Sequence, residues 1–263
     1  MPNGRFDGQV ALITGAGTGI GRVLALAYAR AGAQVAMGAR RIELLEETAH
    51  AVRAVGVACA AVRADVTQEE DCIELVTRTL DHFGRIDILI NNAGAPGTDM
   101  SVAEMTLDNW HSTLAANLTG PMLLSREVLR RAMIPARRGN IQFLASTAAK
   151  RVRPHKAHYA VAKMGLIPLT QTLALEVSEF GIRVNCLVIG LVEGELVERW
   201  ITRLATTSGR SEEQVRAHLV ADIPLKRAVA PEEIAAVSLF LSSDAAAAIT
   251  GQNINVANGY EMR

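Results

Sequence analysis

QVALITGAGTGIG, residues 9–21, decides the fold. Its first six residues are almost wholly aliphatic, the pattern of a strand buried on both faces of a sheet. Glycines 15, 17, 19 and 21 follow at once, and a helical pattern runs from about 20 to 31. Glycine lets the backbone turn sharply and come close to a ligand, and the helix N-terminus behind it favours a pyrophosphate. The spacing departs from the commonest dinucleotide fingerprint. Ile20 stands where Gly17 would require its third glycine, so Gly15, Gly19 and Gly21 read G-x-x-x-G-x-G. Taken alone, such a turn is also an ordinary tight strand–helix connection.

The rest of the chain repeats the strand–helix alternation. Strands are expected at 9–14, 33–38, 57–64, 86–91, 140–145, 182–188 and 252–257, and helices near 20–31, 41–55, 68–83, 108–136, 157–180 and 231–241. This predicts an α/β fold of the Rossmann type: a doubly wound parallel β-sheet of about seven strands, flanked by helices and linked by right-handed crossovers. No repeat or linker divides residues 1–263, so one domain is expected. The span 193–227 is too long for a plain loop and carries helical patterns, ELVERWITRL and SEEQVRAHLV. Over the carboxyl ends of the strands it reads as a helical substrate lid, with a decorative surface helix pair as the alternative.

Composition excludes several classes. The 27 basic and 27 acidic residues cancel, so no global field attracts nucleic acid or an anionic membrane. Cys59, Cys72 and Cys186 are too few and too scattered for a disulfide framework or a zinc site, and no metal is expected. His155-x-x-His158 lacks a nearby acid or cysteine to complete a metal site and reads as pocket-lining. The start MPNGRFDGQV lacks the charged-then-apolar run of a signal peptide, and no apolar stretch is long enough to span a bilayer. A cytoplasmic protein is the expectation.

Further motifs fall in a fixed order. After Thr14-Gly15-Ala16-Gly17-Thr18-Gly19-Ile20-Gly21 come Asp65-Val66, Asn91-Asn92-Ala93-Gly94, Asn117, Ser146 and finally Tyr159-Ala-Val-Ala-Lys163. With these, the chain resembles the short-chain dehydrogenase/reductase family over nearly its whole length, and within it the 3-oxoacyl-carrier-protein reductases. The resemblance implies reversible carbonyl/alcohol oxidoreduction and a catalytic set of Asn117, Ser146, Tyr159 and Lys163. In that set Lys163 also holds the nicotinamide ribose and Asn117 supports a proton-relaying water. It implies cofactor contacts from Gly15, Thr18, Gly19, Ile20, Gly21, Asp65 (at adenine), Val66, Asn92, Ala93, Gly94, Tyr159, Lys163, Gly190 and Val192. The family's habit of packing the helices near 108–136 and 157–180 between subunits implies a homotetramer.

The residues support that chemistry independently. Tyr159 and Lys163, four apart, share a face of one helix. A free tyrosine has a pKa of about 10, and a nearby ammonium favours the phenolate. Ser146, ending the strand before it, can donate to a carbonyl oxygen as charge develops. Cofactor choice is read from AMGARR, 36–41. Where an acid would select an unphosphorylated ribose stands Ala39, followed by Arg40 and Arg41, which suit a 2′-phosphate, although one of them could simply begin the next helix. NADP(H) is therefore expected over NAD(H).

Three departures from the family pattern stand out. Ile189-Gly190-Leu191-Val192-Glu193-Gly194 lacks the usual proline and a threonine for the nicotinamide carboxamide, Ala257-Asn258-Gly259 replaces Asp-Gly-Gly, and Pro168 should kink the helix that carries the catalytic pair. Between Ser146 and Tyr159 lie Lys150, Arg151, Arg153, His155, Lys156 and His158, and Arg130, Arg131, Arg137 and Arg138 lie nearby in sequence. Thr147, Arg153, His155 and Trp200 are the substrate candidates, and an anionic substrate tail suits the cations, which otherwise are solvated or meet another subunit's acids. Three readings stay open: an NADPH-dependent ketone reductase, as of 3-oxoacyl thioesters; a dehydrogenase of a polyol, hydroxy acid or cyclic alcohol; and a dinucleotide-binding regulator that has lost catalysis.

Overall fold

The computed structural model describes residues 6–262, so the first five residues of the N-terminal stretch read above, and Arg263, lie outside the described residues. Seven strands form one parallel sheet: β1 Val10–Thr14, β2 Gln34–Ala39, β3 Cys59–Arg63, β4 Ile88–Asn91, β5 Gly139–Ser146, β6 Ile182–Ile189 and β7 Asn253–Val256. Their spatial order is β3-β2-β1-β4-β5-β6-β7. Every expected strand forms, with ends shifted by at most two residues. The strand order reverses between β1 and β4, which pair directly (Leu12 with Leu89). A crevice opens at the carboxyl ends of the strands at such a switch point, and ligands bind there.

Strand faces alternate with period two, and both are apolar. Ala11, Ile13, Val35, Met37, Ile88 and Ile90 face α1 (Gly19–Arg30), α2 (Ile42–Arg53) and, further along the sheet, α10 (Pro231–Ser242). Leu12, Ala36, Leu89, Ile141, Phe143 and Val184 face the other layer. That layer holds α3 (Glu69–Phe83), α4 (Leu107–Leu114), α5 (Gly120–Val128), the one-turn α6 (Ile134–Ala136) and α7 (Ala157–Val177). The region expected as one long helix, 108–136, runs without a break but contains two π-helical turns, Ala115–Thr119 and Leu129–Met133. A π turn inserts an extra residue per turn and re-aims side chains, and such turns recur at functional sites. α7 runs through Pro168 without interruption. The insertion at 193–227 holds α8 (Glu195–Ser208) and α9 (Glu212–Val220), and a bridge from Val192 to Val229 fixes its base.

β5 carries polar residues into this core. Gln142 Nε2 donates to Asn140 Oδ1 (2.9 Å), the Ser238 carbonyl (2.9 Å) and Ser242 Oγ (2.8 Å), while Ser238 Oγ donates to Gln142 Oε1 (2.7 Å). Tyr28 on α1 joins through Ser238 Oγ (2.9 Å) and Ser242 Oγ (2.6 Å), and its burial pushes the phenol up to about 12. The polar atoms are mutually satisfied, the condition under which such a network is tolerated in a core. Among the described residues no helix is long and apolar enough to cross a membrane.

Candidate active site

The loops after β1 and β4 are clamped together. Backbone N–H groups of Asn92 and Ala93 donate to Thr14 Oγ1 (3.1 and 3.0 Å), and Asn92 Nδ2 donates to the Thr14 and Gly15 carbonyls (2.8 and 3.3 Å). The glycines are dictated by this clamp. A Cβ on Gly15, where φ is +67°, would lie 2.9 Å from Asn92 Nδ2, and one on Gly21 would lie 2.2 Å from the Gly15 carbonyl oxygen. Gly19, by contrast, has φ +53° and nothing within 4 Å of its Cβ position, so it presents bare backbone to the crevice. Thr18 caps α1 without a side-chain hydrogen bond, which leaves the first-turn N–H groups for an anion. This cradle fits a dinucleotide pyrophosphate. Thr14, which organises it, opens the glycine motif in the sequence but carries no role there, because it reads as the last residue of a strand.

The remaining cofactor candidates cluster along the same strand ends. Arg40 and Arg41 follow β2 with exposed side chains that make no ion pair among the described residues. Asp65 Oδ1 accepts from the Thr67 N–H and hydroxyl (3.0 and 2.9 Å), which turns the chain after β3 and sets Val66 against the start of α5. Gly190 follows β6, where a Cβ would come within 2.9 Å of Ala257 Cα, and Val192 begins the bridge at the base of the insertion. The replacement at the chain's end has a structural use. Asn258, in the left-handed region at φ +52°, donates from Nδ2 to the Arg227 and Ala228 carbonyls (3.2 and 3.0 Å) and so ties down the insertion's exit.

Asn117 lies in the first π turn, fully buried. Its Nδ2 donates to the Ala95 and Thr113 carbonyls (2.7 and 2.8 Å), and its Oδ1 accepts from the Ala95 N–H (3.3 Å). Both amide hydrogens are therefore committed to holding the loop after β4, and the rest of Oδ1 is what this side chain offers a relayed water. Gly94 makes the approach possible, since a Cβ there would meet Asn117 Oδ1 at 2.6 Å and Lys163 Nζ at 3.4 Å. Lys163 is buried and donates to the Leu144 carbonyl (2.7 Å), and burial pulls its ammonium down to about 8. Its Nζ stands 5.8 Å from the centre of the Tyr159 ring. Tyr159 departs from the expected lowering: burial raises its pKa, and the neighbouring Ser146 hydroxyl opposes that. Ser146 Oγ accepts from the Ala148 N–H (3.2 Å), which leaves its own hydrogen free to point at a substrate.

One cavity of about 310 Å³ is lined by Ser146 and Tyr159 together with Thr147, Arg153 and Trp200. Three of the four substrate candidates thus share the space over the Ser146 and Tyr159 hydroxyls, whereas His155 stands exposed at φ +65° outside its lining. Arg151, Lys156, Leu219, Ile223 and Tyr260 are also among the residues of its wall. Tyr260 and Ile223 carried no sequence signal, because only the return of distant segments brings them there. Lys150 turns away to Asn255 Oδ1 (3.1 Å). His158 is buried with neither ring nitrogen hydrogen-bonded among the described residues, beside the equally unpartnered Thr113 hydroxyl under Gly97. It lines no cavity. Burial first, then Lys156, lowers its pKa; the Pro96 carbonyl and Asp99 act oppositely.

Comparison with known proteins agrees with this geometry. A family described as enoyl-(acyl carrier protein) reductase matches residues 15–261. The granaticin polyketide synthase putative ketoacyl reductase 1 of Streptomyces violaceoruber is 36% identical over 251 residues, covering 95% of this chain and 92% of its own length. NAD+-bound xylitol dehydrogenase superposes with a TM-score of 0.91 at 33% identity, over 97% of this chain and all of that one. A variant of actinorhodin polyketide ketoreductase with NADPH gives 0.91 at 32% identity, over 98% and 99%. At this similarity over nearly its whole length, the chain belongs to the short-chain dehydrogenase/reductase family and is an NAD(P)-dependent oxidoreductase of the carbonyl/alcohol pair.

Proposed function

We propose that the protein uses NADP(H) and reduces a ketone such as a 3-oxoacyl thioester, with Asn117, Ser146, Tyr159 and Lys163 as its catalytic residues. The observation that carries this reading is the convergence of Ser146 and Tyr159 on one cavity beside a glycine cradle. When bound, the nicotinamide supplies the hydride that reaches the carbonyl carbon. Ser146 donates a hydrogen bond to the carbonyl oxygen, and Tyr159 delivers the proton that completes the alcohol. Lys163, anchored on the Leu144 carbonyl, orients the ribose and holds positive charge behind the phenol. Asn117 fixes the loop that floors the site. The helices of the 193–227 insertion act as a lid, since Trp200, Leu219 and Ile223 wall the cavity from that side.

The cofactor reading rests on Ala39, Arg40 and Arg41: no acid stands at the end of β2 to accept from a ribose hydroxyl, and two guanidiniums are open to a 2′-phosphate. A homotetramer built through α4, α5 and α7 is supported by apolar side chains left exposed there, Val161, Met164 and Leu175 among them. The ketoacyl reductase relatives favour the reductive direction, whereas the xylitol dehydrogenase likeness keeps polyol oxidation as the second reading.

Two variants test the assignment. Tyr159→Phe is expected to lose at least 1,000-fold in kcat while its NADPH affinity, read by nicotinamide fluorescence, stays within about threefold. Full turnover by that variant overturns the catalytic assignment. Ala39→Asp is expected to move the NADPH/NADH ratio of kcat/KM at least tenfold toward NADH. An unchanged ratio refutes the cofactor reading.

A further inference from the structure

The stretch between Ser146 and Tyr159 leaves the catalytic centre and returns to it, so its side chains are sorted by where they finish. Lys156 is ion-paired with Asp99 and is neutralised locally. Arg151 and Arg153 are not ion-paired among the described residues, and both line the cavity that Ser146 and Tyr159 share. Tyr260 positions them without neutralising them. Its carbonyl accepts from Arg151 Nη1 (2.8 Å), its ring lies 4.3 Å under the Arg151 guanidinium, and its hydroxyl meets Arg153 Nη2 (3.2 Å). Arg153, Trp200 and Leu219 also wall a second cavity of about 350 Å³, which adds Arg210 and His218. None of the described residues lining either cavity is acidic.

This is an unusual distribution for a chain whose charges cancel. Guanidiniums held by neutral acceptors and an aromatic face keep their full charge and most of their donors, which is how proteins prepare a site for an oxyanion. We infer that Arg151 and Arg153, oriented by Tyr260, bind an oxyanion carried by the substrate, a carboxylate, sulfonate or phosphate, while the carbonyl to be reduced lies against Ser146 and Tyr159. The inference rests on the reading of those two hydroxyls as the reacting end. A cavity of about 310 Å³ holds both groups of a short substrate, and the adjoining cavity offers cations to an anion on a longer arm. The anion is thus carried either by the small ketone itself or by a coenzyme A-type linker.

The test is a selectivity ratio. Reduction by NADPH of acetoacetate, acetoacetyl-coenzyme A and the neutral methyl acetoacetate is compared in the wild type, Arg151→Gln/Arg153→Gln and Arg151→Lys/Arg153→Lys. The glutamine pair is expected to lower kcat/KM for an anionic substrate relative to the ester by ~30-fold or more, and the lysine pair by much less. Loss on acetoacetate places the anion on the small ketone; loss on the coenzyme A ester alone places it on the linker. A ratio unchanged within about threefold for both anions overturns the inference. Calorimetric titration with malonate and with dimethyl malonate separates this from failure of the functional reading. Malonate binding that is lost in the glutamine pair, in a protein that reduces none of the three ketones, sustains the anion site and refutes the ketone reductase. Equal affinity of the wild type for malonate and its diester refutes the anion site, whatever the turnover.

Discussion

His158, one residue before Tyr159, is the least satisfied side chain in the neighbourhood. Its folded-state pKa lies below the ordinary histidine value, chiefly through burial. Above about pH 6.5 the ring is neutral in both folded and unfolded chains and contributes no pH dependence. As pH falls through that value, the unfolded chain takes up the proton first, so stability is lost on acidification until the folded pKa is reached. Urea midpoints between pH 7.5 and 5.5 should therefore fall more steeply in the wild type than in His158→Leu; equal slopes would show that another group carries the acid sensitivity. The ring's proximity to Thr113 and to Gly97 was illegible in the sequence, where His158 belonged to a basic run and read as lining a pocket. Burial at a sequence position surrounded by cations is decided by the helix face, and α7, apolar on most of its faces, gives no periodic cue to which side is inward.

Elements were far more legible than their interiors. Seven aliphatic runs spaced by helical patterns leave little choice but a parallel sheet, because each strand must be covered on both faces. The polar residues inside those runs were not interpretable in the same way. Gln142 interrupts NIQFLA and reads as a tolerated exception, but in the folded chain it is the hub that satisfies Asn140, Ser238 and Ser242. Gln142→Leu removes four buried hydrogen bonds and leaves its partners only their remaining contacts with Tyr28 and with one another, at a cost of roughly 2–4 kcal/mol. Chemical denaturation with tyrosine and tryptophan fluorescence measures this directly, and a loss under about 1 kcal/mol would show that the network relaxes around the change. The π turn at Asn117 was equally hidden, since i, i+3 and i, i+4 spacing suits an α-helix and a helix with one extra residue alike.

At the scale of the whole molecule, one face of α7 carries Tyr159 and Lys163 while Val161, Met164 and Leu175 remain exposed, Leu175 at 80%. If subunits close over that surface, Met164→Arg buries a charge without a partner and should shift the sedimentation coefficient from a tetramer to smaller species, with a fall in activity. An unchanged tetramer would put the interface elsewhere, and a wild-type monomer would dismiss it. The order of the strands also has a consequence in time. The glycine loop after β1 is clamped by Asn92, 77 and 78 residues further on, and Arg151 and Arg153 are oriented by Tyr260, more than 100 residues beyond them. A chain emerging from the ribosome at about 5–20 residues per second therefore holds an unfinished cradle for several seconds, and Arg151 and Arg153 lack their brace until Tyr260 has been made. A bound dinucleotide can steady the nascent first half once β4 has docked, whereas the two guanidiniums take up their orientation only after Tyr260 has emerged and packed.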